Sequence, residues 1–159
     1  KSYAMTGWRL GYACAPEAIL RQMLKIHQYA IMCAPTTSQY AAVQALRHCD
    51  EDIERMREEY DLRRRFIVNR LNSMGLSCFE PEGAFYVMMN MTGFIGKTMY
   101  GKVIESAEDF SQLFLEKGLV ATVPCTAFAA PGFVRWSYAT SLTEIDKGLD
   151  RLEVFIKNA

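Results

Sequence analysis

The middle of the chain carries the pattern of one long helix, and this pattern constrains the fold more than any other feature of the sequence. Over residues 50–74 apolar side chains recur at the spacing of a helical face, at Ile53, Met56, Tyr60, Ile67, Leu71 and Met74. Acidic residues precede basic residues by four positions along this stretch, which is the more favourable order in a helix. Gly75 suits the position just after a helix end. Because a helix of this length in a small protein often joins two structural units, we expect one unit on each side of it.

The sequence before residue 50 indicates one short strand and two helices. The run RLGYAC at residues 9–14 predicts a strand. Pro16 followed by an acidic residue is typical of a helix start, and the helical pattern continues to about residue 33. A second helix is expected next, with Thr36 or Thr37 as its N-cap.

After residue 75 the pattern changes to short strands that alternate with helices. Strands are expected at residues 76–79, 84–89, 119–123 and 134–139. Helices are expected to begin at Ser106 and Ser141, because each serine is followed three residues later by an acid. The last helix has a predicted buried stripe of Ile145, Leu149, Leu152 and Ile156. This region therefore predicts a small α/β sandwich.

The charge balance excludes several classes of function. The chain has 159 residues with 18 Lys and Arg against 18 Asp and Glu, so its net charge is zero. Binding to nucleic acid or to an anionic membrane surface needs a basic excess, and neither partner is expected. No apolar run approaches the ~20 residues of a membrane span, so no membrane segment is expected.

The cysteine and histidine content predicts neither a disulfide framework nor a metal site. Five cysteines occur, which is an odd number, and no CxxC is present. Such thiols are typical of a reduced, cytoplasmic protein. His27 and His48 lie on predicted helices without acidic or cysteine partners at ligand spacing, so we expect both to be structural.

Three basic residues in apolar surroundings are candidates for chemistry. Lys1 has an amine that can form a Schiff base with an aldehyde, although most lysines are solvated surface charges. Arg9 lies in WRLGYA and has a guanidinium that can hold a phosphate bidentately. Arg135 lies in FVRWSYATS, where its planar fork would suit a carboxylate. For each arginine a structural ion pair is the alternative, and the residues alone leave it open.

Three blocks of the sequence resemble those of one enzyme family. They are KSYAMTGWRLGY from residue 1, EGAFYVMMN from residue 82 and VPCTAFAAPGFVRWSYATS from residue 123. In this order and separation they resemble the class I/II pyridoxal-phosphate-dependent aminotransferases, the aspartate aminotransferase family of fold type I. The bacterial aspartate and aromatic subgroup is the most similar, and the resemblance spans essentially the whole chain.

The resemblance implies a cofactor and roles for particular residues. Lys1 would bond covalently to pyridoxal 5′-phosphate and serve as the catalytic base and acid, and Arg9 would bind the cofactor phosphate. Arg135 would bind the α-carboxylate of the substrate, Phe128 would lie near the substrate, and Tyr3 would be only a neighbour of the site. The implied reaction moves an amino group between an amino acid and a 2-oxo acid in a ping-pong sequence. The implied enzyme is homodimeric and cytoplasmic.

The same resemblance predicts the domain organisation. Fold type I implies that residues 1–50 are the C-terminal end of the large cofactor-binding domain, with the end of its sheet and its helices. Residues 51–74 would be the long connecting helix, and residues 75–159 the small C-terminal α/β domain. Because the family's other cofactor-binding residues precede the lysine, we expect a C-terminal portion of a longer enzyme that is inactive alone.

One departure from the family pattern and two alternative functions accompany this interpretation. The chain has Cys125 where the family usually has glycine in V-P-G, which leaves the shape of that part of the pocket open.

The aminotransferase-like effector domain of a pyridoxal-phosphate-dependent transcription regulator would keep the same lysine. A lyase of the same fold is the second alternative. An upstream DNA-binding domain would identify the regulator, and the reaction product would identify the lyase.

Overall fold

Three helices occupy most of the first half of the chain in the computed structural model, which describes residues 1–158. They are α1 (Glu17–Ala30), α2 (Thr36–His48) and α3 (Asp50–Ser73), and a short 3-10 helix at Thr6–Trp8 precedes them. The chain divides into one unit at Lys1–Arg57 and a second that begins at Glu58, so the division falls within α3. Ala159, the last residue of the predicted small domain, lies outside the described residues.

Helix α3 confirms the predicted long helix, and local chemistry explains both of its ends. Its first turn contains three acidic residues, which favour the positive end of the helix dipole. At its other end the Gly75 N–H donates to the Asn72 carbonyl at 3.0 Å, and the Leu76 N–H donates to the Leu71 carbonyl at 3.0 Å. This Schellman pattern needs a left-handed residue, and Gly75 supplies it with φ of +76°.

The prediction of a strand at residues 9–14 is wrong. Residues 10–16 follow an irregular path without ladder hydrogen bonds, and Arg9 itself adopts a left-handed backbone with φ of +53°. A strand is stabilised by a neighbour that accepts and donates its backbone hydrogen bonds. Within the described residues no strand pairs with this segment.

The second unit contains an antiparallel sheet packed against helices. Its strands are β1 (Tyr86–Asn90), β2 (Thr98–Met99), β3 (Lys102–Val103), β4 (Val123–Pro124) and β5 (Phe133–Ser137), and its complete helices are α4 (Ala107–Gly118) and α5 (Leu142–Lys157). The main sheet has the order β1-β5-β4, while β2 and β3 form a separate hairpin. Because β5 is the central strand, its residues have neighbours on both sides: Arg135 pairs with Met88 and with Val123.

Side-chain alternation along the sheet separates a core face from an outer face. Val87 and Met89 on β1, with Val134 and Trp136 on β5, are buried in the core. Aromatic rings from the helices complete that core, and Phe155 of α5 lies 4.9 Å from Phe114, measured between ring centres. Phe155 rather than the predicted Ile156 is fully buried, and Ile156 is only partly buried against the core.

The serine caps are confirmed, whereas two predicted strands are shorter than expected. The Ser106 and Ser141 hydroxyls accept hydrogen bonds from the backbone N–H groups of Asp109 and Glu144. The run at residues 76–79 contributes only an isolated bridge through Cys78. The run at residues 119–123 starts with a left-handed helix cap and enters the sheet only at β4. In the described part of the chain, no helix is long and apolar enough to cross a membrane.

Replacing Gly75 with alanine should destabilise the second unit by about 1–2 kcal/mol, because a side chain is strained in the left-handed region. No atom crowds the added Cβ, so the effect isolates backbone conformation. The matched control is Gly83→Ala, which also meets open space but has no positive φ and should be neutral or slightly stabilising. Urea unfolding of the two variants measures the difference. Equal free energies of unfolding would contradict this account of the helix end.

Candidate functional site

Arg135 is placed by the pleat of β5 on the face of the sheet opposite the core. Its neighbours in the strand, Val134 and Trp136, point into the core, and Arg135 is half-buried on the other face. The guanidinium carbon of Arg135 lies 4.3 Å from the centre of the Tyr86 ring and 4.7 Å from the centre of the Phe128 ring. Both distances are in the range of cation–π attraction, so two rings hold the arginine in place.

The Arg135 guanidinium makes no ion pair and no hydrogen bond to any of the described residues. The structural ion pair that the sequence left open for this arginine is therefore not formed within residues 1–158. A guanidinium carries five N–H donors in a planar fork, and the two rings satisfy its charge without using those donors. The fork is consequently available for a planar anion such as a carboxylate.

The turn between β4 and β5 brings Phe128 to Arg135 and accommodates Cys125. Phe128 ends a short 3-10 helix at Thr126–Phe128, and its side chain is 54% exposed. The Cys125 carbonyl accepts hydrogen bonds from the Phe128 N–H at 2.9 Å and from the Ala130 N–H at 3.1 Å. The backbone of Cys125 has φ of −97°, so this position does not require the glycine of the family pattern.

Cys125 is fully buried, and its thiol is electrostatically coupled to the arginine. Burial raises the pKa of the Cys125 thiol, and the positive charge of Arg135 opposes that rise. The Sγ atom lies 3.7 Å from the Val123 carbonyl oxygen. Cys125 is therefore a buried thiol whose ionisation is disfavoured.

Lys1 and Arg9 line one pocket in the first unit. Its volume is about 350 Å³, and its remaining wall comes from Met5, Thr6, Leu10 and Gly11. Arg9 is exposed, and its Nη1 donates to the Thr6 carbonyl at 3.1 Å. Arg9 forms no ion pair with the described residues, so the alternative of a structural ion pair is not realised there either. Lys1 and Arg9 thus border the same small space.

Tyr3 lies beside Lys1 and is tied to the start of α3. Its hydroxyl donates to Asp50 Oδ1 at 3.3 Å. Partial burial and the Asp50 carboxylate raise the pKa of Tyr3. Tyr3 and Lys1 also line a neighbouring pocket of about 370 Å³.

The structure thus brings the predicted residues together as two pairs, Lys1 with Arg9 and Arg135 with Phe128. Sequence reasoning missed Tyr86, whose ring contacts Arg135. Tyr86 lies within the block EGAFYVMMN, but its position beside Arg135 depends on the antiparallel register of β1 on β5. No local pattern in the sequence specifies that register.

Comparison with known proteins identifies the family. The sequence profile of aminotransferase class I and II matches residues 1–152, and the chain belongs to this family. This confirms both the predicted family and the predicted fold type. Pyridoxal 5′-phosphate is the cofactor of these enzymes.

Individual relatives match almost all of this chain but less than half of their own length. The chain is 43% identical over 158 residues to a putative aminotransferase of Bacillus subtilis, covering 98% of this chain and 39% of that protein. It is 42% identical over 165 residues to an aspartate aminotransferase of Pyrococcus abyssi, covering 99% of this chain and 39% of that protein. The solved aspartate aminotransferase of Rhizobium meliloti matches with a TM-score of 0.95 at 39% identity, covering 99% of this chain and 40% of that chain. The chain therefore spans about 39% of the length of these curated relatives.

Cys125 should react with iodoacetamide much more slowly than the exposed Cys14. Burial blocks access, and the raised pKa lowers the thiolate fraction at pH 8, so we expect a difference of at least about tenfold. Arg135→Gln should slow the reaction of Cys125 further, because removal of the positive charge of Arg135 raises the pKa of the Cys125 thiol again. Peptide mass spectrometry measures both rates, with labelling in urea as the control for equal intrinsic reactivity. Equal native rates for the two cysteines would contradict the burial of Cys125.

Proposed function

We propose that the protein containing this chain is an aminotransferase that moves an amino group between an amino acid and a 2-oxo acid. The observation that carries the proposal is Arg135, a half-buried guanidinium that two rings hold while its N–H donors stay available. Both substrates of such a reaction have a carboxylate beside the reacting carbon. A fork that binds the carboxylate of either substrate can hold both in one orientation.

The pocket beside Lys1 has two groups that could hold pyridoxal 5′-phosphate. The cofactor has an aldehyde and a phosphate, and Lys1 and Arg9 offer an amine and a guanidinium in the same pocket. We propose that Lys1 bonds to the aldehyde carbon and that Arg9 binds the phosphate. When bound, the cofactor withdraws electrons from the substrate α-carbon.

The remaining chemistry falls to the side chains of this chain. The Lys1 Nζ can take a proton from the substrate α-carbon and return it, as a general base and then a general acid. Arg135 orients the substrate by its carboxylate, and Phe128 covers the arginine with an apolar surface. This division of roles makes Lys1 necessary for turnover and Arg135 necessary for substrate affinity.

A homodimer in the cytoplasm is the proposed setting. Large apolar side chains of α1 are exposed, including Leu24 at 62% and Ile26 at 73%, and an apolar pocket of about 670 Å³ runs along the same helix. Exposed apolar surface of this kind favours burial against another chain. All five cysteines are unpaired thiols, as in a reducing compartment.

The domain organisation is likewise a proposal. Residues 1–50 would belong to the large cofactor-binding domain, residues 51–74 to the connecting helix and residues 75–159 to the small domain. The separate apolar core of the second unit supports an independently folded C-terminal part.

In the full-length protein, Arg135→Lys should lower kcat/KM for amino-acid and 2-oxo-acid substrates alike by about 2–4 kcal/mol in transition-state binding, because a point charge cannot replace the fork. Cofactor affinity should stay nearly unchanged. Arg151→Lys is the matched control: Arg151 is exposed on α5, where it donates to the Leu119 carbonyl, and the variant should keep normal kinetics. An equal loss of cofactor affinity in Arg135→Lys would place this arginine elsewhere than at the substrate carboxylate.

Lys1→Ala in the same protein should abolish both the absorbance band of the bound cofactor and transamination. Product analysis of the unmodified protein separates the candidate functions: transfer of the amino group to a second 2-oxo acid supports the aminotransferase, and release of ammonia with the side-chain leaving group supports a lyase. Binding of the cofactor without turnover of any amino acid would favour the regulatory effector domain. Normal turnover in Lys1→Ala would overturn the assignment of Lys1.

A further inference from the structure

Ser38 in α2 is a buried polar residue whose hydrogen bond leaves its own helix. Its side chain is only 4% exposed. The Ser38 hydroxyl donates to the backbone carbonyl oxygen of Trp8 at 2.8 Å, across 30 positions of sequence. Because a buried hydroxyl without a partner is costly, this bond accounts for the burial of a serine here.

The position of Ser38 within α2 makes this bond unexpected. Ser38 is the third residue of the helix, where a serine would ordinarily serve the helix end itself. Pro35 occupies the N-cap position, and no side chain caps the helix there. The Ser38 hydroxyl is directed instead to the 3-10 helix that precedes Arg9.

The planarity of the peptide bond connects Ser38 to Arg9. The Trp8 carbonyl, the Arg9 N–H and the Arg9 Cα lie in one plane, so a hydrogen bond to that carbonyl restrains the N–Cα bond from which, together with φ, the direction of the Arg9 side chain follows. Arg9 needs such support, because its φ of +53° is strained for a residue with a side chain. The other hydrogen bonds of this turn are local: the Trp8 N–H donates to the Met5 carbonyl at 3.1 Å, and the Arg9 N–H lies 3.5 Å from the Thr6 carbonyl, to which Arg9 Nη1 also donates.

We propose that Ser38 is a positioning residue that holds Arg9 in the conformation that binds the cofactor phosphate. The inference rests on the proposed role of Arg9 and adds a residue on a different element that acts through it. Removal of the Ser38 hydroxyl releases the Trp8–Arg9 peptide plane, so the Arg9 guanidinium samples other directions. The variant then loses affinity for the phosphate group of the cofactor. Its reaction with the aldehyde group is unaffected, because the aldehyde reacts with Lys1.

The test compares two aldehydes that differ only in the phosphate. Apo full-length protein is titrated with pyridoxal 5′-phosphate and with pyridoxal. The dissociation constant of pyridoxal divided by that of pyridoxal 5′-phosphate is the ratio that measures the contribution of the phosphate. Ser38→Ala should lower that ratio about three- to tenfold, the change that corresponds to the loss of one hydrogen bond. Pyridoxal affinity should stay the same.

Two further variants separate positioning from general stability. Thr37→Ala is the matched control, because it removes an exposed hydroxyl from the same helical turn, and that hydroxyl makes no hydrogen bond to the described residues. It should leave the ratio unchanged. In an Arg9→Ala background, Ser38→Ala should no longer alter the ratio, because the group through which Ser38 acts is gone.

The outcomes distinguish this inference from the proposed function. Equal loss of affinity for both aldehydes in Ser38→Ala, or an undiminished effect in the Arg9→Ala background, would show that Ser38 is merely structural and overturn the inference. A starting protein that binds pyridoxal 5′-phosphate no better than pyridoxal would overturn the role of Arg9 itself, and this inference with it. Thermal unfolding of each apo variant is recorded alongside, and a Ser38→Ala protein that melts normally with a lowered ratio supports the proposal.

Discussion

The pleat of β5 is the constraint on which the second unit and its candidate substrate site depend. Consecutive residues of this strand serve opposite faces: Val134 and Trp136 close the core, and Arg135 between them cannot enter it. A shift in register by one residue would exchange the faces and bury the guanidinium. The core therefore holds the arginine in place, and the packing of Trp136 against Phe114 contributes to that hold.

The first unit positions its functional residues by a different means. Lys1 and Arg9 lie on an irregular segment, and two of its residues, Ala4 and Arg9, have left-handed backbones. Such strained conformations persist only where surrounding contacts support them. Hydrogen bonds from Ser38 to the Trp8 carbonyl and from Tyr3 to Asp50 provide that support from α2 and α3. Placement by a few directed bonds makes this segment more sensitive to single polar substitutions than β5 is.

Ion pairs add to the attachment of α3 within the second unit without determining the fold. Arg70 on α3 is paired with Asp146 and Asp150 of α5, and Arg64 is paired with Asp61 and Glu80. Hydrogen bonds that the two arginines donate to these carboxylates raise the pKa of both arginines, which are ionised in any case. The partners are partly exposed, so each pair contributes at most about 1 kcal/mol. The buried apolar residues Ile67 and Leu71 on the same helix contribute more.

The sequence by itself determined the features whose causes are local. Helix α3, its end at Gly75 and the caps at Ser106 and Ser141 follow from interactions between residues three to five positions apart, and these were predicted correctly. The family resemblance likewise rests on three blocks that can be read in order, and these blocks contain Lys1, Arg9, Arg135 and Phe128.

Only the tertiary structure decided what depends on residues far apart in the chain. Residues 9–14 have the composition of a strand, but a strand also needs a neighbour, and none of the described residues supplies one. The ring of Tyr86 reaches Arg135 because β1 pairs with β5 in one register, across 49 positions of sequence (135 − 86). Ser38 reaches the Trp8 carbonyl across 30 positions. Local propensity carries no information about such contacts, since their partners become neighbours only when the chain has folded.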